Sequence, residues 1–254
     1  TPILTKGTTE GSRNFIVPSR LNPGKFYALP QSPQQYKQLL MTAGVDRYFQ
    51  HAICIRDEDL KVDRGFEHSQ MDIEMSFVER EDVMNVIEEV VKHAVKTVGR
   101  KVLNDPFPVF TLEEAEKKYG ADKFDMRTEK EKEEGLLAFA WVVDFPFFKR
   151  VDKGDAAEVE DSRSGWVFTH NPFSMPVSEH IEWHLQGKNV DKIRTTQYDL
   201  VCNGLEVGGG SIRSHRSDVL RATYKIMGYS DGEIEETVGH MLEAFDLGTP
   251  PHGG

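Results

Sequence analysis

Cysteine is nearly absent: the 254 residues hold two, Cys54 and Cys202, each inside a strand-like apolar run. Two isolated thiols exclude a disulfide framework and a cysteine-based zinc site. They read as buried free thiols, at home in a reducing cytoplasm. Long hydrophobic runs are missing as well. No stretch approaches the roughly 20 apolar residues of a membrane span, and no signal peptide opens the chain. The charge balance lacks a basic excess, with 31 Lys and Arg against 42 Asp and Glu, a net −11. That rules out broad electrostatic attraction to nucleic acid, so any RNA contact must be local. Residues 1–50 are the exception, carrying Lys6, Arg13, Arg20, Lys25, Lys37 and Arg47 against Glu10 and Asp46. Much of the acid falls in 113–134 and 153–161, as expected of solvated faces.

What is present suits one large globular domain with a real core: 38% hydrophobic and 29% charged residues, without internal repeats. Ser32-Pro33 opens a helix over 34–43, with serine as N-cap and proline at the first helical position. Apolar positions Val83, Val86, Ile87, Val90, Val91, Ala94 and Val98 predict an amphipathic helix over 81–98. Thr111 and Glu114 form a capping box for a short helix ending near Gly120. Strands are expected at about 136–145 and 165–170, a helix near 178–186, and a strand pair over Tyr198–Cys202 and Leu205–Ser214. Ser217 begins one helix, and Ser230 with Glu233 caps another running to Leu247. Mostly antiparallel strands with flanking helices make an α+β pattern.

The most informative stretch runs from Arg56-Asp57-Glu58-Asp59 to Glu67-His68-Ser69-Gln70-Met71-Asp72-Ile73-Glu74. A β-branched run leads in, an alternating run leads out, and Lys61, Asp63, Arg64 and Gly65 lie between. This predicts two antiparallel strands joined by a charged loop. Asp72, Glu74 and Ser76 share one strand face; Met71, Ile73, Met75 and Phe77 share the other. Two acids on one face need cations or a ligand if buried, and an arginine at the strand end suits a phosphate. By spacing alone, a solvated hairpin with surface charge fits equally well.

The stretch from Arg56 to Glu74 resembles motif 2 of the class II aminoacyl-tRNA synthetases of the aspartyl type. Thr1-Pro2-Ile3-Leu4-Thr5-Lys6 resembles the end of motif 1. Glu10-Gly11 with Val17-Pro18-Ser19-Arg20 is similar to the mobile active-site loop. Gln31-Ser32-Pro33-Gln34-Gln35-Tyr36-Lys37-Gln38 resembles the amino-acid signature, and His170-Asn171-Pro172-Phe173 a histidine loop. Glu206-Val207-Gly208-Gly209-Gly210-Ser211-Ile212-Arg213 and Gly248-Thr249-Pro250-Pro251-His252 complete the series. Together with motif 2, these six further segments, in family order, cover almost the whole chain. The fold implied is the class II synthetase catalytic fold, an antiparallel β-sheet flanked by helices. Residues 1–254 would be one catalytic domain, from the end of motif 1 to just before the motif 3 arginine. On this resemblance a large insertion of the bacterial form would be missing near 128–135, and the anticodon-binding barrel would lie outside this sequence.

The activity implied is aspartate–tRNA ligation, with ATP and Mg2+ as cofactors. Arg56 would clamp the α-phosphate, Glu58 would contact the nucleotide, and Arg213 would complete the catalytic set. Aspartate would be bound by Glu10, Gln34, Lys37, Asp72, His170 and Arg213, with Glu74 orienting the cations. ATP would meet Arg56, Glu58, His68 and Glu206, and Asp199 with Glu206 would hold the metal. Without the resemblance, Lys37 reads as a helix-surface lysine, His170 as structural, Asp199 and Glu206 as unrelated carboxylates, and Gly208–Gly210 as a bulge. Partners implied are L-aspartate, the tRNA for aspartate with asparagine tRNA left open, and a second copy of the chain at Pro2. Neither membrane nor DNA is expected, and the location implied is cytoplasmic.

Departures from the pattern are Gly65, Phe66 and His68, where the family places glutamine, proline and an aromatic for adenine; either Phe66 or His68 could stack. Asn171 replaces a second histidine. Rival readings are an asparagine–tRNA ligase, a tRNA-independent asparagine synthetase, and an inactive paralogue acting as an RNA-binding or regulatory dimer. Lys37 and Arg213 favour an acidic side chain as substrate.

Overall fold

In the computed structural model the described residues are 1–8, 12–58, 65–154 and 156–254, with backbone alone at 156–157. The chain opens with a small hairpin, β1 (Ile16–Pro18) and β2 (Phe26–Ala28), which pairs part of the segment likened to a mobile loop. Helix α1 (Gln34–Thr42) follows. Its cap differs from expectation: Pro33 itself is the N-cap, and Ser32 Oγ accepts from Gln34 N at 3.2 Å. Proline's fixed φ serves the half-in position here, and the serine bonds one residue early.

Strands β3 (Arg47–Ile55) and β4 (Glu67–Ser76) form the expected antiparallel hairpin. Register sets Tyr48, Gln50, Ala52 and Cys54 opposite Glu74, Asp72, Gln70 and His68, so these eight side chains share one face. Helix α2 (Arg80–Thr97) packs on the sheet. Only part of the expected apolar stripe is covered: Val83 is buried and Ile87 and Val91 are half-buried, whereas Val86, Val90, Ala94 and Val98 are exposed, and Met84 and Val95, outside the expected stripe, are buried. Seven apolar positions span more than one stripe of a helix, and the sheet covers one.

Next come β5 (Val109–Thr111), α3 (Leu112–Tyr119) with its Thr111–Glu114 capping box, and α4 (Glu129–Glu133). A second capping box, Thr128 with Glu131, opens α4 in the Lys/Glu-rich stretch; sequence reading assigned no helix there. Strand β6 (Phe139–Val143) is wholly buried, and β7 (Phe148–Arg150), α5 (Ala156–Asp161) and β8 (Trp166–Phe168) follow. A 3-10 turn leads into α6 (Ile181–Gln186). Strands β9 (Tyr198–Cys202) and β10 (Leu205–Gly210) turn at Asn203 and Gly204, whose φ of 54° and 90° suit a two-residue hairpin. Helices α7 (Ser217–Ile226) and α8 (Asp231–Asp246, capped by Ser230) precede β11 (His252–Gly253). The strands near 140 and 167 are shorter than expected, and β10 ends at Gly210, four residues early.

The sheets run β10-β9-β6-β5, with β5 parallel to β6 and the other pairs antiparallel, and β11-β4-β3, all antiparallel. Residues 211–213 join them. Ile212 bridges Gly253, and Arg213 N donates to His252 O at 2.8 Å. The continuation of β10 therefore lies beside β11, which lies beside β4. That seam brings Arg213 to the acidic face of the hairpin. One apolar cluster (Met75, Val83, Trp141, Leu200) packs α2 on the sheet; another (Phe173, Leu220, Tyr224, Met241) seats α7 and α8.

Candidate active site

Lys37 leaves the second turn of α1 pointing at β4 and is 3% exposed. Its ammonium lies 2.5 Å from Asp72 Oδ1, 3.0 Å from Glu74 Oε2 and 3.3 Å from Ile73 O. Arg213 arrives from the other side. Its Nη1 donates to Ser211 Oγ at 3.1 Å, its Nη2 donates to Gly254 O at 2.5 Å, and its Nε stands 3.8 Å from Glu74 Oε2. Glu74 is fully buried between the two cations, yet neither offers it an aligned hydrogen bond, and its contacts are ionic. Two cations and two carboxylates balance formally, which is how charge this deep is tolerated. Such a pair of cations, held from behind, can receive a further carboxylate.

Gln34 donates to Gln38 Oε1 at 3.0 Å, and Gln38 in turn donates to Ser214 O and to His252 Nε2, both at 3.1 Å. His252 Nδ1 faces Pro250 O at 2.8 Å and donates to it, which leaves Nε2 as the acceptor. Burial lowers the His252 pKa below the ordinary histidine value. This relay ties α1 to β11, and neither Gln38 nor His252 was assigned a role from sequence.

Asp199 is buried on β9. Gln197 Nε2 donates to its Oδ1 at 2.8 Å, and His170 Nε2 lies 3.2 Å from its Oδ2. The His170 ring packs edge-on to Phe145 at 4.6 Å, and its Nδ1 is buried without a hydrogen-bond partner among the described residues. Glu206 pairs with Val201 across the hairpin, so it shares a face with Asp199. A bulge between Glu206 and Gly208 separates them, and Glu206 Oε2 meets Lys123 Nζ at 2.7 Å. Among the described residues no group of three or more His, Cys, Asp and Glu could hold a metal. Gly209 and Gly210 are needed for close approach. A Cβ at 209 would sit 2.8 Å from Asp199 Oδ1, and one at 210 would sit 2.8 Å from the Tyr198 hydroxyl. That hydroxyl is buried without a hydrogen-bond partner among the described residues, and burial raises its pKa. Gln197 and Tyr198 escaped sequence reading because neither residue type signals a site.

Arg56 lies one residue past β3. Its Nε donates to Gln31 O at 3.1 Å, and its Nη1 is 3.9 Å from Glu58 Oε1. Ser12 Oγ donates to the same Glu58 oxygen at 2.8 Å. His68 lies half-buried on the face that carries Asp72 and Glu74, while Phe66 is exposed and edge-to-face with Phe15 at 5.5 Å. Glu10, Asp59, Lys61, Asp63 and Arg64 lie outside the described residues.

Compared with known families, residues 1–254 match tRNA synthetases class II (D, K and N). The chain belongs to this family. An aspartate–tRNA(Asp/Asn) ligase of Chlorobium phaeobacteroides is 32% identical over the whole chain and 60% of the relative, and one of Chlorobaculum parvum is 34% identical over 61% of its length. The chain thus spans about 60% of the curated relatives it matches. Among solved structures, an asparaginyl-tRNA synthetase of Pyrococcus horikoshii complexed with asparaginyl-adenylate superposes with a TM-score of 0.68 at 19% identity, over 99% of this chain and 56% of that one. The likeness shows a shared fold. The antiparallel sheet with flanking helices is therefore the class II synthetase catalytic fold. Both cysteines are buried and neither is in a disulfide, and no described helix is long and apolar enough to cross a membrane.

Proposed function

We propose that the chain is the catalytic core of an aspartate–tRNA ligase. The observation that carries this reading is the buried pair Lys37 and Arg213, held by Asp72 and Glu74 and so arranged to receive a side-chain carboxylate. A carboxylate accepts from both cations with either oxygen, whereas a carboxamide would turn its NH2 donor towards a donor, which disfavours asparagine as the amino acid. The α-carboxylate of aspartate attacks the α-phosphorus of ATP, the bond to the bridging oxygen breaks, and pyrophosphate leaves. A terminal hydroxyl of tRNA then attacks the activated carbonyl, and AMP leaves. The protein supplies no nucleophile; it positions and neutralises.

In this reading Arg56 clamps the α-phosphate, and Glu58 and His68 or Phe66 meet the nucleotide. Glu10, Gln34 and Asp72 surround the amino group, and His170 reaches the substrate. Asp199 and Glu206 offer hard oxygen ligands on one face, beside a Gln197 Oε1 that is buried without a hydrogen-bond partner among the described residues, a donor set that fits Mg2+. The ion would neutralise polyphosphate charge. The tRNA is that for aspartate, with asparagine tRNA open, as in the names of the relatives. Exposed Phe49, Ile53 and Met71 on the back of the β3–β4 hairpin support a homodimer. The setting is cytoplasmic.

The domain assignment, one catalytic domain lacking the bacterial insertion near 128–135, is supported by the alignment to the Chlorobium relative, which extends over 377 positions against 254 residues here. The test is ATP–pyrophosphate exchange by the intact protein. Aspartate should support it and asparagine should not; exchange faster with asparagine overturns the reading.

A further inference from the structure

Arg56 and Glu58, the two residues given to the nucleotide above, both lie beyond the end of β3, where the backbone is held by Arg56 N donating to Phe66 O at 2.8 Å and by the Arg13–Asp57 bridge. A single buried side chain stands behind them. Gln31, 2% exposed, points its Nε2 at Thr8 O (3.2 Å), Ser12 O (2.9 Å) and Asn14 Oδ1 (3.0 Å). Its own carbonyl accepts from Arg56 Nε at 3.1 Å. The segment it gathers is stitched onto 57–58: Asp57 N donates to Arg13 O at 3.2 Å, Arg13 Nε faces Asp57 Oδ2 at 3.6 Å, and Ser12 Oγ donates to Glu58 Oε1 at 2.8 Å.

We infer that Gln31 is a positioning residue for the nucleotide half of the site. Its main-chain carbonyl fixes the plane of the Arg56 guanidinium by engaging Nε. Its carboxamide fixes Ser12, and through Ser12 the Glu58 carboxylate. Both groups then meet ATP already oriented, without a reorganisation cost at binding. Among the described residues nothing in this network touches Lys37, Asp72, Glu74 or Arg213, so the cation pair stands on separate supports. The inference rests on the proposed function in assigning Arg56 and Glu58 to ATP. A purely structural glutamine, satisfying loop carbonyls and nothing more, would affect both substrates alike.

The test uses Gln31→Met, Ser12→Ala and the double variant of the intact protein. Calorimetry measures ATP binding without amino acid, and exchange measures the KM for each substrate. Gln31→Met and Ser12→Ala should each weaken ATP binding about threefold: the first keeps the main-chain carbonyl on Arg56 but frees Ser12, and the second removes the hydrogen bond to Glu58 itself. The KM for aspartate should rise less than the KM for ATP, since Lys37, Asp72 and Arg213 are untouched and Glu10 alone of its ligands lies between Thr8 and Ser12 in sequence. The double variant should bind ATP no more weakly than Gln31→Met, because both act through one path. Unchanged ATP affinity, a parallel rise of both KM values, or multiplied effects in the double variant overturns the inference. If Gln31→Met does not fold, Ser12→Ala decides, and unaltered ATP affinity there overturns it. Unmutated protein that binds no ATP defeats the functional reading and this role with it. Normal binding and exchange with indifferent variants defeats the positioning role alone.

Discussion

Lys37 Nζ lies 2.5 Å from Asp72 Oδ1, joining a helix to the middle of a strand in a place almost closed to water, with side-chain exposures of 3% and 10%. A lysine there has lost its hydration and depends on its carboxylates for compensation.

Lys37→Met should therefore destabilise the fold. It strands Asp72 and Glu74 with one cation fewer, and breaking a buried pair from one side costs about 3–5 kcal/mol. Denaturant midpoints of the variant and the parent check this; a shift worth less than about 1 kcal/mol would mean that water reaches the pair.

Arg213→Leu should spare ATP binding and cripple use of aspartate. Losing a charge-assisted contact to a carboxylate costs about 2–3 kcal/mol, or roughly thirty- to a hundredfold in kcat/KM for aspartate. Exchange that survives within tenfold shows that Lys37 alone recognises the side chain.

Asp199→Asn should raise the Mg2+ concentration for half-maximal exchange by about tenfold. Gln197→Ala should do so to a smaller degree, because it frees Asp199 from its 2.8 Å partner. Titrating Mg2+ at fixed ATP reads both. An unchanged half-point in Asp199→Asn places the ion elsewhere.

Acid should weaken the fold through His184. The ring is fully buried beside Phe147 and Phe148, and burial pushes its pKa from 6.5 down to about 4. The folded chain holds it neutral, and unfolding lets it take up a proton. Stability is therefore whole above about pH 6.5 and falls as pH drops from 6.5 towards 4, by about 3 kcal/mol in total. His215, His240 and His252 are shifted downwards by burial and act in the same sense. His184→Leu should lose less Tm between pH 7 and pH 5 than the parent; an identical slope assigns the acid sensitivity to the other histidines.

Local signals carried much of this protein into view. Capping boxes at Thr111 and Ser230 and the alternation through β4 are properties of neighbours in sequence, and they placed two of the helices and the acidic strand face. The ordered motifs named the fold and the residues to watch. Other features were invisible because they are made by distance in the chain. Whether Lys37 was a surface lysine depended on which helix face met β4. Arg213 reaches Glu74 only because residues 211–213 seat against β11, itself paired with β4. The exposure of Val86 and Val90 follows from the sheet covering one stripe of α2 and not the next. Gln31, Gln197 and Tyr198 carry no chemical signature of their own. Periodicity and capping are energies between near neighbours and can be read along the chain; desolvation and charge pairing depend on what arrives from elsewhere, and only the packed fold decides them.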